Sequence, residues 1–290
     1  MTTEKVKIVT DSTAYLSPEE ISRYDVRVVP LRVIFGTEVY SEGVDITNEA
    51  FYRRLVKEGA MPTTSQPAIS DFTQVYSELA ERGHPILSLH ISSRLSGTVN
   101  SAAAAREELP QAQIEIVDSL SIALRMLIAP AVAAVEKGQT LPQLKASIGK
   151  LNTYMNAVGA LSTLQYLWKG GRIGRAKGLL GTVLRIKPVL AFEGGEDLKV
   201  LAKTRTSVQA IEYILELMKE RIKGNTPIHV SVVHTHDIEP ALALKKGVEA
   251  SFDCAEMEFL ELGPVLGAHI GPGFFGVGFY SDEDWQPDQC

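Results

Sequence analysis

The chain has 290 residues, a length at which two domains are the natural expectation. Hydrophobic residues make up 45% and charged residues 22%, as in ordinary globular proteins, and the net charge of −6 argues against a general nucleic-acid surface. The cysteines, Cys254 and Cys290, form no disulfide framework, and no stretch approaches the roughly 20 apolar residues of a membrane span, so we expect a cytoplasmic protein without an integral membrane segment.

The first half of the chain alternates between strand and helix patterns. Two capping boxes, Ser17 with Glu20 and Thr140 with Gln143, indicate where helices begin. Short apolar runs predict strands at residues 6–10, 26–35, 86–90 and 114–117, and helical spacing predicts helices at 51–56, 72–79, 99–109, 121–137 and 143–151. Strands and helices that alternate with short links predict a doubly wound, mostly parallel sheet.

The pattern changes near residue 157. Strands are predicted at residues 189–192, 198–203, 228–233, 256–260 and 274–280, with a long helix at 208–222. Glu193-Gly194-Gly195-Glu196-Asp197 is a hairpin signal between the first two of these strands. We therefore expect an α/β protein of two α/β domains: residues 1–156 with the doubly wound, mostly parallel sheet, and residues 157–290 with a smaller mixed sheet and helices.

Short polar loops follow several predicted strands. They lie at residues 11–13, 63–67, 92–98, 169–174 and 269–273 and concentrate hydroxyls, glycines and a few cations. Loops after parallel strands meet at one edge of a sheet, where such sheets bind ligands. Hydroxyls beside free backbone N–H groups favour an anion, although helix capping is their commoner role. The sequence predicts binding of an anionic head group rather than bond cleavage.

Two further features of the sequence have more than one interpretation. Residues 169–187 contain six lysines and arginines with glycines between them, and the forked guanidinium of Arg172 is the group best suited to a phosphate. A solvated charged face is the ordinary alternative. His234 and His236 share one face of an extended segment, but a metal site normally needs three or four ligands. We expect neither a metal nor a cofactor.

The polar loops, taken in order, carry a resemblance to a known family. Thr-Ser-Gln-Pro stands at 64–67, Ser-Ser-x-Leu-Ser-Gly-Thr at 92–98, Lys-Gly-Gly-Arg-Ile at 169–173 and His-x-Gly-Pro-Gly at 269–273. Along nearly its whole length the chain resembles the DegV family of bacterial fatty-acid-binding proteins. The resemblance implies two α/β domains that bury a long-chain fatty acid, such as palmitate.

The resemblance also implies how the head group is held. The fatty-acid carboxylate would bind Thr64 and Ser96, with Ser65 and Ser93 as further candidates in the same loops. At about 0.8 kcal/mol per methylene, a tail of about fifteen methylenes is worth on the order of 12 kcal/mol before the costs of binding. Hydrogen bonds to the head group contribute about 1–3 kcal/mol each, so they set orientation more than affinity.

A partner is implied as well. In the family, residues matching Arg172, Arg205 and His269 are tied to phosphoryl transfer or to docking of a dihydroxyacetone-kinase-like fatty acid kinase. That kinase would convert the held carboxylate into an acyl phosphate for phospholipid synthesis. The chain itself would then be a carrier and not an enzyme.

Two other functions stay open on the residues alone. A stand-alone esterase or phosphotransferase would need a nucleophile within hydrogen-bond reach of a base, and Ser96 with His269 is the pair the sequence offers. A purely structural partner-binding protein would leave the pocket empty.

Overall fold

The computed structural model describes residues 5–119, 121–179, 186–192, 198–222 and 226–283. The hairpin signal at residues 193–197 lies outside these ranges, as do Arg185 and Cys290. The side chains of Arg175 and Lys177 are likewise not described.

The strands of the described residues are, in chain order, β1 Lys7–Asp11, β2 Arg27–Val29, β3 Arg32–Phe35, β4 Glu38–Ser41, β5 Thr63–Ser65, β6 Ile86–Ile91, β7 Ile114–Ser119, β8 Asn156–Ala160, β9 Lys187–Phe192, β10 Lys199–Thr204, β11 Ile228–His234, β12 Cys254–Glu261 and β13 Phe275–Ser281.

The helices are α1 Pro18–Tyr24, α2 Asn48–Lys57, α3 Ile69–Ala80, α4 Thr98–Glu107, α5 Ser121–Glu136, α6 Leu141–Tyr154, α7 Gln165–Lys169, α8 Ser207–Arg221, α9 Glu239–Ser251 and α10 Pro264–Ile270. Both predicted capping boxes are present: Ser17 and Glu20 bond each other's backbone at the start of α1, and Thr140 with Gln143 begins α6.

A parallel sheet with strand order β2-β1-β6-β7 forms the first half, as the alternating pattern predicts. Strand β6 is buried at every position, which fits a central strand covered on both faces. The carboxyl ends of these strands lead into the loops at residues 11–13 and 92–98. The predicted parallel α/β arrangement is confirmed.

The prediction of a single extended strand at residues 26–35 is wrong. Pro30 lacks a backbone N–H and interrupts the ladder, so the segment divides into β2 and β3. Strand β3 joins a small antiparallel sheet of order β4-β3-β5. This sheet places Thr64, which the sequence assigns to a polar loop, on a hydrogen-bonded strand opposite Val33.

The second half forms a mixed sheet of order β10-β9-β8-β13-β11-β12. Neighbours pair antiparallel except β11 and β12, which run parallel. The mixed sheet is confirmed, although β8 and α10 were not predicted. In the described residues it has six strands, whereas the parallel sheet has four, so it is not the smaller sheet of the two. Gly271-Pro272-Gly273 precedes a strand, β13, and not the helix that a dinucleotide-binding glycine motif requires.

The two halves pack against each other closely. Ala157 and Tyr280 of the second half belong to the hydrophobic cluster built around α5 and α6. Arg125 of α5 adds a polar link, because its side chain donates to Glu258 of β12 at 2.8 Å. These contacts join α5 and α6 of the first half to the mixed sheet.

Candidate ligand-binding cavity

A cavity of about 350 Å³ lies where the loops of the parallel sheet and strand β5 meet the mixed sheet. This volume falls in the range of small-molecule sites, which span about 300–1,000 Å³. Most of its lining is apolar, including Ile91, Leu161, Leu190, Leu262, Leu266 and Phe274. Its polar lining comes from the predicted loops: Thr64, Ser65, Gln66, Ser96, Arg172 and His269.

Thr64 and His269 form the central polar contact of the cavity. The hydroxyl Oγ1 of Thr64 lies 2.7 Å from Nε2 of His269, across 205 positions of sequence. Strand β5 presents Thr64, and the last turn of α10 presents His269. The other ring nitrogen of His269, Nδ1, is buried and has no hydrogen-bond partner in the described part of the chain.

His269 is uncharged in this setting. Burial and the neighbouring Arg172 guanidinium lower the pKa of His269 from 6.5 to about 4. The ring is also tightly confined, since a Cβ added to Gly170 would lie 2.3 Å from its Nδ1. The glycine of the Lys-Gly-Gly-Arg loop therefore makes room for the imidazole.

Ser96 and Gln66 lie on neighbouring loops beside this pair. The Ser96 hydroxyl is 2.8 Å from the hydroxyl of Thr98, at the start of α4. The Gln66 side chain donates to Ser101 at 2.8 Å and passes so close to Gly97 that a Cβ there would lie 1.9 Å from its amide oxygen. The glycine of Leu-Ser-Gly thus allows the two loops to touch, and Gln66 is a lining residue that was not predicted as a site residue.

Arg172 connects the two halves of the cavity wall. Its Nε donates to the Leu95 carbonyl at 3.0 Å, and a terminal nitrogen donates to the Gly170 carbonyl at 2.6 Å. The guanidinium therefore braces the 92–98 loop against the 169–174 loop while it contributes positive charge beside His269.

Three predicted features lie away from the cavity lining. Ser93 is exposed and donates its backbone N–H and its hydroxyl to Asp118. Arg205 is exposed between β10 and α8. The 11–13 loop is buried, and Asp11 accepts hydrogen bonds from Thr13 and from the backbone of Ile91.

The Ser96–His269 pair of the enzyme hypothesis does not form in this structure. Nε2 of His269 faces Thr64, and Ser96 faces Thr98. A general base works best with a pKa near the operating pH, whereas the pKa of His269 is about 4. No third group in the described residues orients the imidazole through Nδ1. The arrangement suits holding a ligand better than activating a nucleophile.

Glu42 anchors the helix that carries His269. Its Oε1 accepts the backbone N–H of Val265 in the first turn of α10 at 2.7 Å, and its Oε2 accepts the Ser12 hydroxyl at 2.7 Å. A Cβ on Gly263 would lie 2.9 Å from the same carboxylate. Burial raises the pKa of Glu42 from 4.5 to about 7, although both hydrogen bonds act in the opposite direction. Nothing in the local sequence around Glu42 indicates this role.

The described residues hold no group of three or more His, Cys, Asp or Glu side chains placed to bind a metal ion. None of the helices within the described ranges has both the length and the apolar character needed to cross a membrane.

The sequence is similar to those of known proteins along nearly its whole length. A sequence model described as "Uncharacterised protein, DegV family" matches residues 5–282. A DegV domain-containing protein of Halalkalibacterium halodurans is 33% identical over 282 residues, which cover 96% of this chain and 99% of that protein. Protein DegV of Bacillus subtilis is 31% identical and covers 94% of this chain, with 98% of its own length matched.

Solved structures match over nearly the whole chain. A DegV family protein from Thermus thermophilus, described for its fatty acid binding, has a TM-score of 0.90 and 36% identity, with 96% of this chain and 100% of that chain covered. A stearic acid-binding protein from Eubacterium ventriosum has a TM-score of 0.87 and 29% identity, with 98% and 100% covered.

Proposed function

This chain belongs to the DegV family, and we propose on that premise that it binds a long-chain fatty acid, such as palmitate, in the cavity beneath the mixed sheet. The observation that carries the proposal is the composition of the cavity wall. A largely apolar space of about 350 Å³ has hydroxyls, an uncharged imidazole and one guanidinium in its lining. Hydrocarbon gains free energy in the apolar part, and a single anionic group is held by the polar part.

The carboxylate of the fatty acid would bind Thr64 and Ser96, with Ser65 alongside. If Nε2 of His269 carries the ring proton, it donates to Thr64, and the hydroxyl proton of Thr64 remains available for the carboxylate. Neutral donors stabilise the anion without the desolvation cost of a buried cation. Arg172 adds favourable charge from a half-buried position. Ser93 is left out of the head-group site because Asp118 holds it at the exposed surface.

The bound acid would be presented to a separate fatty acid kinase of the dihydroxyacetone-kinase-like type. A carboxylate oxygen would attack the terminal phosphorus of ATP on that kinase, ADP would leave, and an acyl phosphate would form for phospholipid synthesis. Arg172 and His269, at the cavity wall, would support the transfer, and the exposed Arg205 would contribute to docking. On this proposal the chain is a cytoplasmic carrier without a cofactor.

The first test identifies the ligand. The protein is purified from cells, denatured and extracted, and the extract is analysed by mass spectrometry. We expect about one fatty acid per chain, either as purified or after loading with palmitate. A protein that yields no fatty acid under either condition refutes the proposal.

The second test locates the head group. Thr64→Val keeps the shape of the side chain but removes the hydroxyl, and a hydrogen bond to a charged group is worth about 1.5–3 kcal/mol, so palmitate affinity should fall about tenfold or more. Thr63→Val is the matched control, because Thr63 is the exposed neighbour on β5 and successive strand residues point to opposite faces. Equal palmitate affinity in both variants would remove Thr64 from the head-group site.

A further inference from the structure

The ring of Phe274 covers a pair of glycines on the mixed sheet. Gly159 of β8 and Gly276 of β13 are direct partners across the antiparallel ladder. A Cβ added to Gly159 would lie 2.5 Å from two ring atoms of Phe274, and one added to Gly276 would lie 2.9 Å from its Cζ. The ring therefore occupies the space that two side chains would otherwise fill.

The backbone beneath this ring is firmly held. Thr235, which is fully buried, donates its N–H to the Phe274 carbonyl at 3.0 Å and accepts the Phe274 N–H on its hydroxyl at 2.9 Å. The Thr235 hydroxyl also donates to the Gly271 carbonyl at 2.7 Å, and its carbonyl accepts the Gly273 N–H at 2.9 Å. With the main chain fixed at four points, a change under the ring must move the ring itself.

The ring of Phe274 borders the cavity. Phe274 and Gly159 both line the cavity. Leu190, the partner of Gly159 on the neighbouring strand β9, lines it as well. These neighbours are apolar or lack a side chain, so this part of the wall suits a hydrocarbon tail better than an anionic head group. A ring lifted off the glycines would enter the cavity and remove space from it.

We propose that Phe274, seated on the Gly159–Gly276 pair, sets the length of acyl chain that the cavity accepts. This inference rests on the proposed fatty-acid binding and adds a specificity-determining residue to it. Affinity should rise about fourfold per methylene while each added methylene is buried, and should stop rising at the length that fills the cavity. We call the chain length at which affinity stops rising the break. Its position measures the space that Phe274 leaves in the cavity.

The experiment compares dissociation constants for saturated acids from ten to twenty carbons. In Gly159→Ala the added methyl group pushes the ring into the cavity, and the break should move to shorter chains by at least two carbons. In Phe274→Leu the smaller side chain opens space, and the break should move at least two carbons longer.

Gly149→Ala is the matched control, since a Cβ at this helix position has no heavy atom within 4 Å and lies outside the cavity lining. Its break should coincide with that of the parent chain. The carbonyl of Phe275 lies 2.9 Å from a Cβ at Gly159, so that variant is also checked for folding by circular dichroism; Phe274→Leu decides the question if the alanine variant is unfolded. A break that stays in place in Phe274→Leu overturns the inference while leaving fatty-acid binding intact. Absence of binding by the parent chain at every length overturns the proposed function instead.

Discussion

Glu42 is expected to make the stability of the protein fall as the pH rises from about 4.5 to about 7. Its pKa is about 7 when folded, against an ordinary 4.5, so between these values the folded chain binds more protons than the unfolded chain. Stability then decreases with pH until Glu42 is ionised in both states. Raising the pKa of Glu42 from 4.5 to about 7 corresponds to a change of about 3 kcal/mol in the free energy of unfolding, at about 1.36 kcal/mol for one unit of pKa.

The perturbation is Glu42→Gln, which mimics the protonated side chain and keeps an acceptor for the Val265 N–H and a polar partner for Ser12. The charged and titratable groups around this carboxyl, Asp11, Tyr15 and Tyr52, stay in place. The free energy of unfolding is measured by urea denaturation from pH 4.5 to pH 8 for both proteins. The free energy of unfolding of the variant, relative to that of the parent, should rise by about 3 kcal/mol from the low to the high end of this pH range.

Taking the difference between two proteins removes the contribution of other groups. His269, with its pKa lowered to about 4, adds stability that rises between pH 4 and about 6.5, but it does so in both chains. Glu38→Gln serves as the control, because Glu38 is exposed in the same small sheet and its pKa is lowered by Arg54. A difference curve for Glu42→Gln that is flat with pH, or that slopes the other way, would refute the reasoning.

Two further substitutions test the wall and the core. Gly170→Ala places a methyl group 2.3 Å from His269 Nδ1 and should lower palmitate affinity at least tenfold, whereas Gly178→Ala, with open space around its Cβ, should leave it unchanged; isothermal titration calorimetry measures both. Ser88→Ala leaves the Tyr76 hydroxyl and His90 Nε2 without their partner at 2.7 and 2.6 Å, and should lower the free energy of unfolding by about 2 kcal/mol or more without changing palmitate affinity. The exposed Ser70→Ala is its control, and equal urea midpoints for the two serine variants would contradict this result.

Local signals account for the part of the fold that was predicted. The capping boxes at Ser17 and Thr140 and the apolar runs of β6 and β11 act over a few residues, so they can be read from the sequence. Pro30 divides a strand by an equally local effect. The assignment of β3 to a separate sheet depends instead on its partners β4 and β5, and no local pattern specifies that pairing.

The residues at and around the cavity also differ in whether the sequence could predict them. Thr64, Ser96, Arg172 and His269 belong to recognisable loops, and the structure places all four at one cavity. Glu42 could not be predicted, because its burial depends on a contact with Val265 at a separation of 223 positions.

The glycines show why position matters more than composition. The sequence assigns no role to Gly159, but in the structure the ring of Phe274 lies over it, and Gly170 leaves room for the ring of His269. Their meaning comes from aromatic rings more than ninety positions away in the chain. A sequence pattern read in short windows contains no signal for either contact.

The central claim is tested most directly by a crystal structure of the chain with palmitate bound. We expect a single acyl chain inside the cavity, with its carboxylate within hydrogen-bond distance of Thr64 Oγ1 and its tail against the ring of Phe274. A complex in which the cavity stays closed around its own side chains, or in which the carboxylate lies away from Thr64 and Ser96, would contradict it.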